Sequence, residues 1–119
     1  MERTRFINHG GKRILELDLT RCSASEVEKV VRALPDRVTA EPLASVRMLV
    51  DFTGATFDSE ALRTMKEAAI FNKAHIKKTA WIGVESLPQS FQDDVSKFSR
   101  REFPVFKSRT EALDWLAKD

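Results

Sequence analysis

RMLVDFTGATFDSEALRTMKEAAIF, residues 47–71, decides the fold. From Arg47 to Phe52 apolar side chains fall on both parities, as in a strand covered on both faces. Gly54 supplies a turn. Asp58 is placed to cap a helix whose inner face carries Ala61, Leu62, Met65, Ala68 and Ala69. Ser59 and Glu60 stand in that helix's first turn. Buried strand, tight turn and helix make half of a strand–helix–strand crossover, the unit of a parallel sheet.

The same alternation extends in both directions. Upstream, Arg5 to Asn8 reads as a short strand and His9-Gly10-Gly11-Lys12 as a hairpin turn, since glycine supplies positive φ. Arg13 to Thr20 follows as a strand, with Leu15, Leu17 and Leu19 alternating with Glu16 and Asp18. Ser25 with Glu28 forms a capping box for a helix on which Val27, Val30, Val31 and Leu34 share a face, and Pro35 ends it. Residues 35–46 then read as a long connection. Downstream, Thr79 to Val84 is a second buried strand. Ser86 with Gln89 makes a capping box, Pro88 sits in the first turn, and Leu87, Phe91, Val95 and Phe98 form the apolar stripe of that helix. Pro104 to Phe106 is a short strand, and Ser108 with Glu111 opens a last helix carrying Leu113 and Leu116. The order is β-β-α-β-α-β-α-β-α: an α/β sandwich with a mainly parallel sheet and one antiparallel N-terminal edge strand.

A chain of 119 residues fits a single domain, 1–119, with 42% hydrophobic and 32% charged residues. Twenty basic against 18 acidic side chains leave a net charge of +2, which argues against nucleic acid as a partner. No apolar run approaches the roughly 20 residues that cross a membrane. The opening MERTRFINHGGKR has no apolar signal core. Cys22 is the lone cysteine, so no intrachain disulfide can form, and the expected location is the cytoplasm.

The loop 53–60, TGATFDSE, is the candidate binding site. A helix start offers peptide N–H groups and a favourable dipole. Thr53, Thr56 and Ser59 add hydroxyls, and the position lies beyond the carboxyl end of a strand. The plainer reading makes Asp58 an N-cap and Gly54 a turn residue, and Asp58 and Glu60 would repel an anion. On the following helix Glu60, Thr64, Glu67 and Phe71 are expected on the outer side, with Phe71 folding back onto the core. Asp51 ends a strand as a phospho-acceptor aspartate does, but the acidic pair that would hold a metal is missing. His9, His75 and Cys22 have no metal-ligand spacing. No nucleophile elbow, phosphate-binding loop or dinucleotide fingerprint occurs. Neither cofactor nor metal is expected. Lys73, Lys77 and Lys78, and Arg100 with Arg101, are read as complements to helix C-termini. Trp81, Phe91, Phe98, Phe103, Phe106 and Trp115 are read as core, with a ligand pocket among them as the alternative.

DFTGATFDSEAL (51–62), NKAHIKKTAWIGV (72–84), SKFSRREFPVF (96–106) and EALDWL (111–116), in this order and spacing, resemble the SpoIIAA-like family of STAS-type domains. The resemblance implies a small α/β sandwich and a non-catalytic, regulatory or protein-binding role centred on the 53–60 loop and the next helix. In the anti-sigma-factor antagonists of this family the motif Asp-Ser-Ser-Gly-Leu carries a phosphorylated second serine. Here the run is Asp58-Ser59-Glu60-Ala61-Leu62. Glu60 occupies the acceptor position, and only Ser59 remains for modification. A constant phospho-like charge at Glu60, or no switch, is the expectation. A protein partner is expected, and exposed edge strands permit a homodimer. The alternative function is a carrier or sensor of a small apolar or amphipathic molecule.

Overall fold

A computed structural model describes residues 3–118. Strands β1 (Thr4–His9) and β2 (Lys12–Asp18) form the opening hairpin, followed by α1 (Ala24–Val38), β3 (Val46–Asp51), α2 (Ser59–Phe71), β4 (Ile76–Ile82), α3 (Gln89–Ser99), β5 (Val105–Phe106) and α4 (Arg109–Ala117). The strands make one sheet in chain order, β1 antiparallel to β2 and the rest parallel. Gly10 and Gly11, at φ +57° and +76°, close the hairpin with the doubly left-handed turn that matches strand twist.

Both faces of the sheet are covered, as the unbroken apolar runs require. Leu15, Leu17, Met48, Val50, Phe52 and Trp81 face α1, α2 and α3. Ile14, Leu49, Ala80 and Ile82 face Ala112, Leu113 and Leu116 of α4. On α1 the buried stripe is Val27, Val31, Leu34 and Val38, each side chain contributing roughly 1.5–3 kcal/mol by leaving water. The opposite face also takes charge. Glu16, 1% exposed, is held between Arg5 at 2.6 Å and Arg109, which ties the hairpin to the start of α4. Arg47 reaches through the same layer to the carbonyls of Leu116 and Lys118 at 2.6 and 2.9 Å. It satisfies acceptors that every helix C-terminus leaves open.

Four local expectations need correction. The cap of α1 is Ser23 with Glu26, which bond reciprocally. The chain SASEVE offers the S-x-x-E spacing twice, and the earlier frame puts Val27, Val31 and Leu34 on the sheet. Pro35 lies inside α1. The helix runs one turn past it, losing only the N–H that Pro35 lacks, and Thr39 closes that turn by donating its N–H and its hydroxyl to the Pro35 carbonyl, at 2.8 and 2.7 Å. So the expected long connection loses its first four residues, 35–38, to the helix. Ser86 caps nothing; its hydroxyl donates to Ala55 O at 2.8 Å, and Pro88 itself is the N-cap residue of α3. Phe98 is 63% exposed, and Ser99 takes the inward position beside Phe91 and Val95. Four-residue steps from Phe91 lead to Ser99, so Phe98 is rotated off the stripe.

Candidate functional site

The carboxyl edge of the sheet carries two copies of one device. Asp18 and Asp51 lie in register on β2 and β3. Each carboxylate accepts from the N–H and hydroxyl of the threonine two residues on: Thr20 at 2.9 and 2.6 Å, Thr53 at 3.0 and 2.6 Å. These closed local turns steer the chain off the sheet. Burial pushes the Asp18 carboxyl up, but the Thr20 bonds and the Arg3 and Arg5 charges outweigh it and hold it below its ordinary value. Gly83, just past β4, packs against Thr53. A Cβ there would stand 2.2 Å from Thr53 Oγ1 and 2.7 Å from its N, at φ +68°.

This edge leads into α2. Thr53, Thr56, Asp58, Ser59 and Glu60 are all exposed. The Thr53 hydroxyl is occupied by Asp51. The Thr56 N–H donates to Cys22 O at 2.9 Å. Asp58 caps the helix by accepting from the Ala61 N–H at 2.8 Å, and Ser59 opens the helix. Glu60 pairs with Arg63 at 2.7 Å, so the fixed charge expected there is met by a neighbouring cation on the same exposed turn.

Two outer-face expectations fail. Thr64 is buried at 6% because α1 packs along that side of α2, and Phe71 remains 64% exposed instead of folding back. Thr64, Glu67, Ala68 and Phe71 from α2, with Val31, Arg32 and Pro35 from α1, line a groove of about 280 Å³. Thr64 is its floor and Phe71 its rim.

The other chemistry-bearing residues are structural. Burial pushes the Cys22 thiol above its ordinary value, which disfavours the nucleophilic thiolate. His9 contacts Asp114 at 2.7 Å, and His75 contacts Glu41 O at 2.9 Å. Both histidines are half-buried and partnered. Among the described residues no group of three or more His, Cys, Asp or Glu could hold a metal ion. None of their helices is long and apolar enough to cross a membrane.

Between the sheet and its three-helix layer lies a second feature, a cavity of about 50 Å³. Met48, Val50, Met65, Trp81 and Val95 give it apolar walls, and Phe103 stacks on Trp81 with ring centres 4.6 Å apart. Its polar rim is Asn72, Thr79 and Arg101. Asn72 is 1% exposed, and its Oδ1 has no hydrogen-bond partner. Arg101 donates to Ala69 O at 2.9 Å and Thr79 Oγ1 at 2.6 Å and lies over the Phe103 ring. Both acceptors are neutral. Burial lowers its pKa to about 10, which leaves it charged at neutral pH.

Sequence reasoning missed this rim. Arg101 follows α3 in the chain, yet the helix end it serves is that of α2, at Ala69 O. The signals available were a polar Thr79 inside the apolar run TAWIGV and an arginine just before Phe103-Pro104. Gly83, inside the expected strand 79–84, lies just past the end of β4.

No protein-family model and no curated protein matches the chain. A crystal structure of an uncharacterized protein of the DUF3478 family from Shewanella loihica PV-4, described as having a SpoIIAA-like fold, superposes with a TM-score of 0.72. The match covers 95% of this chain and 91% of the other, at 18% sequence identity. The chain therefore has a SpoIIAA-like fold.

Proposed function

We propose that residues 1–119 form one STAS-type domain that acts by binding rather than catalysis, with a protein partner seated on the 53–60 loop and the outward residues of α2. One observation carries this reading: the exposed helix start, with Thr56, Asp58, Ser59 and Glu60, stands on the same helix as the exposed ring of Phe71. Polar groups for orientation beside a large apolar contact are what a recognition surface uses. Thr64 supports the surface from beneath. Ser59, exposed at the first helical position, is the residue open to phosphorylation; added charge there would be favoured by the dipole. Mapping by mass spectrometry after incubation with kinase-containing lysate tests this, and an unmodified Ser59 across conditions removes it. The proposed setting is the cytoplasm, with β1 as the sheet edge open to a second copy.

Capture from native lysate tests the surface. Wild type is compared with Glu60→Lys and Phe71→Asp, two exposed positions where folding is not at stake. Loss of a protein held by the wild type supports the surface; unchanged profiles from both variants count against it.

A second reading, a carrier or sensor of a small amphipathic molecule, is favoured by the core cavity and the unsatisfied Asn72 Oδ1. Buried polar groups in folded proteins are nearly always paired, so an orphan beside a cavity points to an absent partner.

A further inference from the structure

We propose that the core cavity binds a short-chain carboxylate, its carboxyl group held by Arg101 and its apolar tail laid against Met48, Val50 and Trp81; this rests on the carrier reading above. Two independent observations meet at the rim. Arg101 is a half-buried guanidinium whose hydrogen bonds go to two uncharged oxygens, and no carboxylate among the described residues pairs with it. A cation withdrawn from water without a counter-charge is costly, and a planar carboxylate is the anion whose geometry matches the guanidinium fork. Asn72 Oδ1, nearly inaccessible and unpartnered on the same cavity, calls for a donor. A hydroxyl on the ligand chain supplies it.

Size sets the rest. The cavity, about 50 Å³, is well below the roughly 150 Å³ that accommodates benzene. A four-carbon acid has as many heavy atoms as benzene, so it fits only if Phe103 swings outward to enlarge the site. Phe103 lies between α3 and β5 on a segment without regular structure, next but one to Arg101.

The test uses the full chain carrying Trp115→Phe, so that Trp81 on the cavity wall reports alone. Butyrate, 3-hydroxybutyrate and uncharged butyramide are titrated while fluorescence and the unfolding temperature are followed. Both carboxylates should bind, 3-hydroxybutyrate more tightly, with butyramide at least tenfold weaker. Arg101→Gln should remove the preference for the anions. Ala69→Leu, which fills the cavity and leaves the rim intact, should abolish binding of all three and so guards against an Arg101 variant that fails to fold. Equal binding of butyramide and butyrate would overturn the carboxylate assignment while leaving a carrier in place. Binding by none of the three, or binding indifferent to Ala69→Leu, would overturn the cavity site itself.

Discussion

Gly83→Ala is the substitution whose cost is easiest to derive. The new Cβ would lie 2.2 Å from Thr53 Oγ1, 2.7 Å from Thr53 N and 2.9 Å from Thr53 Cα. The hydroxyl could rotate away, but the backbone atoms cannot, and Thr53 is held by its bond to Asp51 and by the Arg21 N–H, which donates to Thr53 O at 2.8 Å. The backbone at φ +68° adds about 1–2 kcal/mol for any residue with a Cβ. Overpacking against fixed atoms adds about 1–3 kcal/mol. Reduced freedom of the unfolded chain returns about 0.4–1 kcal/mol. The net loss is about 1–5 kcal/mol, centred near 3 and a large fraction of the stability of a domain this size. Urea unfolding followed by tryptophan fluorescence should show a midpoint lower by about 1–2 M at unchanged slope. Adding Thr53→Ala should recover only a minor part, because N and Cα remain in place. A loss below about 0.5 kcal/mol would refute the packing described between β4 and the 53–60 loop, and with it the positioning of the candidate surface.

Other outcomes follow from single residues. Arg47→Met should destabilise by about 2–3 kcal/mol, since it uncaps two α4 carbonyls; urea midpoints of variant and wild type measure it. Ala44 sits at φ +51° with no ring or charge to lose, so Ala44→Gly should be neutral to stabilising by up to about 1 kcal/mol in thermal unfolding. The Asp18 carboxyl is held below its ordinary value in the folded state. A depressed carboxylate stabilises above its unfolded pKa, near 4, and that contribution disappears as pH falls through the folded value. Stability should therefore drop as pH falls from about 5 through 4 and below, and Thr20→Val, which removes one donor, should shrink that drop.

The architecture was legible because it rests on short-range patterns. Leu15, Leu17 and Leu19 alternate, 47–52 and 79–84 do not, and that contrast separates the strand bearing a buried carboxylate from two strands covered by apolar side chains. Gly10-Gly11 fixes the hairpin register. What failed were choices between near-equal local signals. SASEVE holds two capping frames one turn-fraction apart, and only packing against the sheet selects Ser23. Pro35 breaks a helix by rule, yet it removes a single N–H donor, and the helix runs on to Val38. Phe98 and Ser99 compete for one inward position, and helix rotation set upstream by Phe91 decides it. At the site, the exposed residues 53–60 could be read from the turn and cap chemistry. Thr64 could not, because its burial depends on how α1 lies along α2. The cavity rim was out of reach for the same reason: Asn72, Thr79 and Arg101 meet through the β4 register and the left-handed turn at Arg100, at φ +56°. None of these is written in the spacing of the residues concerned.

Hydrogen exchange of the protein alone and in complex with the partner captured from lysate, read by mass spectrometry, addresses the binding proposal most directly. The account predicts slowed exchange in residues 53–63 and at the Phe71 end of α2, with the β1 edge and α4 unchanged. Protection confined to β1 or α4, with 53–63 exchanging as in the free protein, would contradict it.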